Sequence, residues 1–109
     1  MSYLGVPAVS AAGVPPDAVL LDVREQDEWL AGHAPGALHI PMSELLNRMA
    51  EVPAADLVVV CRSGHRSAQV TGYFVGRGLP AVNLDGGMLA WQAAGRPLES
   101  GTGAVPFIL

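Results

Sequence analysis

Residues 57–60, "LVVV", are apolar at four consecutive positions and then give way at once to "CRSGHRS". A strand with one face in water alternates apolar with polar, whereas a run apolar on both faces is what a central parallel strand covered by helices requires. Parallel strands need crossover connections, so helix-forming segments must lie on either side of the run. They do. "AVLLDV", Ala18 to Val23, reads as a strand, and "REQDEWLAG" as a short helix ending near Gly32. "ALHI" at 37–40 is a second strand, closed by Pro41. Ser43 is placed to cap a helix over "ELLNRMAEV", whose Leu45, Leu46 and Met49 fall at helical spacing, and Pro53 ends it. After the cysteine, "RSAQVTGYFVGRG" predicts a helix with Ala68, Thr71 and Val75 on one stripe, Val70 and Phe74 beside it, and Gly78 as its stop. "AVNL" at 81–84 returns as a strand, and "DGGMLAWQAAG" as a turn and short helix with Asp85 as a candidate cap. The expectation is α/β, a single domain over 1–109 with its core at about 18–95. The segment 96–109 is irregular, with "VPFIL" available to dock on the body.

Charge narrows the function. With a formal charge of −4 and no lysine, the chain offers no broad basic surface for phosphate backbones, so nucleic-acid binding is not expected. No apolar run reaches the roughly 18 residues of a membrane span. The opening "MSYLGVPAVSAAGVPP" carries no Lys or Arg ahead of its apolar residues, so no secretory signal is expected and a cytoplasmic location is the default. One cysteine forms no internal disulfide and no thiolate zinc set.

That cysteine, Cys61, stands where the buried strand ends. Two of the six arginines, Arg62 and Arg66, flank His65 immediately after it, the one concentration of positive charge in the chain. At a strand–loop–helix junction the loop's N–H groups and those of the first helical turn converge on one point and, with the partial positive charge of the helix N-terminus, form an anion cradle. Ser63 and Gly64 are small enough for a tight curl, and Gly64 accepts positive φ without steric cost. An ordinary thiol with pKa near 8.5 is only about 3% thiolate at pH 7. A cradle that lowers this by roughly two units makes about three quarters of it thiolate. The expectation is an ionised, reachable nucleophile. The alternative is a structural Cys in the core with solvated arginines; the Gly turn and the three cationic or protonatable side chains weigh against it.

Three ordered blocks carry a family resemblance over about Ala18 to Trp91. "LLDVREQDEWLAGHAPGALHIP" resembles the first signature of the rhodanese family, with its Asp22-Val23-Arg24 triplet and its Gly32-His33-x-Pro35-Gly36-Ala37 turn. "VVVCRSGHRSA" resembles the active-site loop of that family, and "NLDGGMLAWQAAG" its closing motif. The resemblance implies a three-layer fold with a central, mainly parallel five-stranded sheet flanked by helices. It implies sulfurtransferase activity: Cys61 takes the outer sulfur of a donor such as thiosulfate, holds it as a persulfide and yields it to a thiophilic acceptor. Cyanide serves in an assay, a thiol or a sulfur-accepting protein in cells. Arg62, Ser63, Gly64, His65 and Arg66 would receive donor and persulfide. No cofactor or metal is implied. A partner-dependent sulfur carrier of the same fold is the chief alternative. Cysteine phosphatases and arsenate reductases are a further one, but phosphatases of this fold place five residues between Cys and Arg, and here four separate Cys61 from Arg66.

Other residues have plainer readings. His33 and His39 are turn and strand residues rather than metal ligands. Asp22 is expected to bond loop backbone, and Arg24 to pair with a carboxylate such as Glu28. Trp29 and Trp91 are core anchors. Gly86 and Gly87 make a tight turn, and Ser67 caps or begins its helix, an assisting hydroxyl being the second reading.

Overall fold

The computed structural model describes residues 5–109; the first four residues, part of the stretch on which the secretory reading rests, lie outside them. Five parallel strands form one sheet in the order β1-β5-β4-β2-β3, with β1 at Ala8–Val9, β2 at Val19–Asp22, β3 at Leu38–His39, β4 at Leu57–Val60 and β5 at Ala81–Leu84. Helices α1 (Gln26–Ala31), α2 (His65–Gly76) and α3 (Gly87–Ala93) connect or follow them, with 3-10 segments at Ala11–Gly13 and Met42–Glu51.

The "LVVV" run is β4, central and buried at every position. Because side chains alternate along a strand, its residues feed two cores. Leu57 and Val59 join Leu21, Val23, Ile40, Leu45, Val70 and Phe74 on one face. Val58 and Val60 join Leu20, Leu84, Met88 and Trp91 on the other. Phe74 from α2 and Trp91 from α3 are the largest apolar contributions to the two faces, each worth on the order of 2–3 kcal/mol of burial. Trp91 is the anchor its sequence context indicates. Trp29 is not: it is half-buried, stacked between the rings of His33 at 3.7 Å and His39 at 4.7 Å.

Four local expectations are corrected. The segment after Pro41 is 3-10 rather than α-helical and is broken at Arg48 (φ −121°, ψ 19°). Ser43 does not cap it; its hydroxyl donates to the Glu25 carboxylate at 3.1 Å. The cap of α3 is Gly86, in the left-handed region at φ 76°, not Asp85. Arg24 pairs with Asp22 at 2.7 Å, both side chains wholly buried, and not with Glu28. Asp22 does bond loop backbone, accepting from the Arg24 N–H at 3.0 Å.

Since all strands run one way, their carboxyl ends share one edge of the sheet. The Asp22–Arg24 pair, the Cys61 loop and the turn after β5 therefore gather there, at the edge where open α/β sheets bind ligands.

Candidate active site

β4 delivers Cys61 to that edge, and the chain then turns sharply at Gly64, whose φ of 99° lies in the left-handed region, before entering α2. The turn brings the Gly64 N–H back onto the Cys61 sulfur at 3.1 Å. The loop's carbonyls face away: those of Cys61 and Arg62 accept from Met88 N (2.8 Å) and Leu89 N (3.0 Å) in the first turn of α3. So the first-turn donors of α3 satisfy the loop, while the N-terminal end of α2 lies at the sulfur. Gly87 makes this contact feasible. A Cβ there would stand 2.5 Å from the Cys61 carbonyl oxygen and 2.6 Å from Arg62 backbone.

A second partner of the sulfur comes from the helix. Ser67, wholly buried in the first turn of α2, places Oγ 3.3 Å from Cys61 Sγ and 2.5 Å from Asn83 Oδ1. Asn83, wholly buried on β5, donates from Nδ2 to the Gly64 carbonyl at 3.0 Å. A closed polar ring thus runs from the sulfur through Ser67 and Asn83 to the loop backbone.

The cations do not converge as their proximity in sequence suggests. Arg66 leans across to α1 and holds Glu28 with two parallel bonds, Nη1 to Oε1 at 2.8 Å and Nη2 to Oε2 at 2.9 Å. This guanidinium holds the Glu28 carboxyl below its ordinary value, helped by the Glu25 backbone N–H and opposed by burial. The Arg66 pKa is raised in turn, chiefly by the same bonds. Arg62 is exposed and donates from Nε to the Leu109 carbonyl at 3.1 Å. Ser63 and His65 are exposed on the loop rim. Cys61 itself is 1% exposed and packs in the apolar cluster with Val59, Val70 and Phe74, so the reachable sulfur expected from sequence is corrected to a buried one.

Two participants went unread in the sequence. Glu28 lies 38 positions before Arg66, and nothing local marks it as that residue's partner. Asn83 carried a signal, a polar side chain inside an otherwise apolar strand. His33 and His39 stack on Trp29 and bond backbone carbonyls, and no group of three His, Cys, Asp or Glu among the described residues is placed to hold a metal.

A family model, the rhodanese-like domain, matches residues 11–94. An HTH-type transcriptional regulator of Mycobacterium tuberculosis is 34% identical over 93% of this chain and 53% of its own. A sulfurtransferase of Allochromatium vinosum is 40% identical over 80% of this chain and 83% of its own. A thiosulfate sulfurtransferase, GlpE, of Pseudomonas putida is 37% identical over 80% of each. The chain thus spans about half the length of the regulator and about four fifths of the two sulfurtransferases. Among solved structures, a rhodanese-related protein from Thermoplasma volcanium superposes with a TM-score of 0.81 at 29% identity, over 85% of this chain and 97% of that one. With its parallel five-stranded sheet, its Cys-x4-Arg loop between β4 and α2, and this match over most of its length, the chain belongs to the rhodanese-like family.

Proposed function

We propose that this protein is a sulfurtransferase that carries sulfane sulfur on Cys61, with thiosulfate or a similar small anion as donor. The observation that carries the reading is the Gly64 N–H aimed at Cys61 Sγ from 3.1 Å within a loop turned onto the N-terminus of α2. A backbone donor and a helix terminus at a sulfur both favour its anionic form, the nucleophile the chemistry needs.

In the first half-reaction the Cys61 thiolate attacks the outer sulfur of thiosulfate. A sulfur–sulfur bond forms to Sγ, the donor's own sulfur–sulfur bond breaks, and its electron pair leaves with sulfite. The enzyme then holds a persulfide with its negative charge on the outer sulfur. In the second, an acceptor such as cyanide attacks that sulfur, the bond to Sγ breaks, and thiocyanate leaves with the thiolate restored. A thiol or a sulfur-accepting protein replaces cyanide in the cell. The reading places the protein in the cytoplasm, where reduced thiols are abundant. Two stages through one atom give ping-pong kinetics.

Arg62, Ser63, His65 and Arg66 form the approach, and Gly64 the floor. With Cys61 so little exposed, the approach suits small donors. Four residues between Cys61 and Arg66 leave a tighter ring of amides than a phosphate ester requires, which disfavours a phosphatase.

Mass spectrometry after thiosulfate exposure tests the reading, paired with thiocyanate release in excess cyanide. A persulfide on Cys61 with sustained turnover supports it. An adduct with negligible turnover favours a partner-dependent relay instead, and no adduct excludes both. Thiocyanate release retained in Cys61→Ala would assign the chemistry to another group.

A further inference from the structure

Ser67 faces two acceptors with one proton. The orientation of the Asn83 amide follows from its neighbours: the Gly64 carbonyl can only accept, so Nδ2 faces it at 3.0 Å, and Oδ1 is left facing Ser67 at 2.5 Å. An amide oxygen can only accept as well. The Ser67 hydroxyl must therefore supply the proton of that short bond, and whenever it does so it presents a lone pair, not a donor, to Cys61 Sγ at 3.3 Å. A protonated thiol tolerates this, since its own S–H can point to Ser67 Oγ. A thiolate does not: turning the hydroxyl to the sulfur gains a charge-assisted bond but strips the buried Asn83 oxygen of this donor.

We propose that Asn83 is a positioning residue, holding the Ser67 hydroxyl proton while Cys61 Sγ is uncharged and surrendering it when the thiolate forms. Only the Ser67 Cβ–Oγ torsion turns; no proton leaves the oxygen. The proposal rests on the sulfur-transfer reading for its place in turnover. There the charge lies on Sγ in the resting thiolate, moves to the outer sulfur in the persulfide, and returns. A donor fixed on Sγ would oppose every departure of that charge. An alternative acceptor at Asn83 lets the donor withdraw as the charge leaves Sγ and return when it comes back.

The other charged groups around the loop are Arg62, His65 and Arg66 on the loop and α2, Glu28 on α1, the Asp22–Arg24 pair at the end of β2, and Asp85 in the turn after β5. All are retained in the variants below, so differences between variants report the Ser67–Asn83 pair.

The test is the pH dependence of Cys61 alkylation by iodoacetamide in the native protein, Asn83→Leu, Ser67→Ala and the double variant. It needs no sulfur donor, so its outcome is separable from failure of the transfer reading, which shows as a missing persulfide. Removing the competing acceptor should move the alkylation midpoint down by about half a unit to one unit in Asn83→Leu. Removing the hydroxyl should move it up by a similar amount in Ser67→Ala. Adding Asn83→Leu to Ser67→Ala should then move it no further, which separates the hydroxyl from any effect of the lost Gly64 contact. A midpoint that stays or rises in Asn83→Leu with native circular dichroism overturns the proposal, as does the same downward shift in the Ser67→Ala background. If Asn83→Leu does not fold, Ser67→Ala alone decides: an upward shift supports transfer of the hydroxyl to the sulfur, and an unmoved midpoint overturns it.

Discussion

Arg66 and Glu28 form a bidentate pair at the edge of the cysteine loop, and the arginine's charge is largely answered before any donor arrives. The expectation from sequence, that Arg66 simply adds positive charge for a dianion, thus needs a second residue to be complete. Glu28→Gln should leave the arginine's charge unbalanced and lower the KM for thiosulfate about two- to fivefold, the scale of one partly exposed ion pair. Its salt dependence should steepen, and steady-state kinetics at two ionic strengths would show both. An unchanged KM would mean that Arg66 does not sense the donor. Arg66→Ala should raise the same KM by about tenfold, with a smaller loss in thermal stability. The sign of the pH effect follows from the depressed Glu28 value: the pair is complete above about pH 4.5, where even an unfolded glutamate is ionised, and is lost as pH falls through the lower folded value. Cys61 and its cationic neighbours could be read directly, because the strand-to-loop transition is local. Glu28 and Asn83 could not be assigned, because their roles exist only once α1 and β5 are brought beside α2.

Among the elements, those whose burial imposes a simple period were the legible ones. β4 and β5 fall where apolar runs place them, and α2 ends before Gly78, whose φ of 79° suits a helix stop. The stretch from Met42 to Glu51 misled because its apolar spacing fits a helix of either pitch; what it buries is little beyond Leu45, too little to select the α form. β1, two residues long, leaves no period to read. The junction of the cysteine loop with α3 makes a prediction at this scale. Gly87→Ala drives a methyl into the Cys61 and Arg62 backbone and places an alanine at φ 60°. The expected cost is about 2–5 kcal/mol of stability, from left-handed strain and overpacking together. Because the displaced atoms belong to the loop, transfer should fall more steeply than stability. Urea unfolding beside thiocyanate release would measure the two, and parallel losses would show that α3 does not set the loop. Asp22→Ala, which strands Arg24 in the interior, should cost about 3–5 kcal/mol by the same unfolding measurement, without a comparable loss of transfer in the folded fraction.

At the scale of the whole molecule, pairings distant in sequence decide the arrangement. That β5 lies between β1 and β4 is set by packing that no local pattern encodes, which is why four of the five strands were legible and their order was not. The C-terminal segment shows the same dependence. Irregular in sequence, it is tied down along its length: Glu99 and His33 exchange backbone bonds at 2.8 and 2.9 Å, Gly101 N donates to Leu30 O, Phe107 N to Ala31 O, and Ile108 packs on the Trp91 side of the sheet. It ends with the Leu109 carbonyl on Arg62, next in sequence to Cys61. Beyond Glu99 these ties lie outside the strand ladder, so this end of the segment should open as a unit of its own, below the free energy of global unfolding. Ile108→Asp places a charge where Ile108, like Leu98 earlier in the segment, packs on the Trp91 cluster, and should release the segment's end. Hydrogen exchange should then quicken at the Phe107 and Gly101 amides while the β4 amides keep their protection. With Arg62 no longer held by Leu109, Cys61 alkylation should accelerate by a few fold at fixed pH. Protection lost at β4 in step with Phe107 would instead make the segment an integral part of the core, and faster exchange without faster alkylation would separate it from the site.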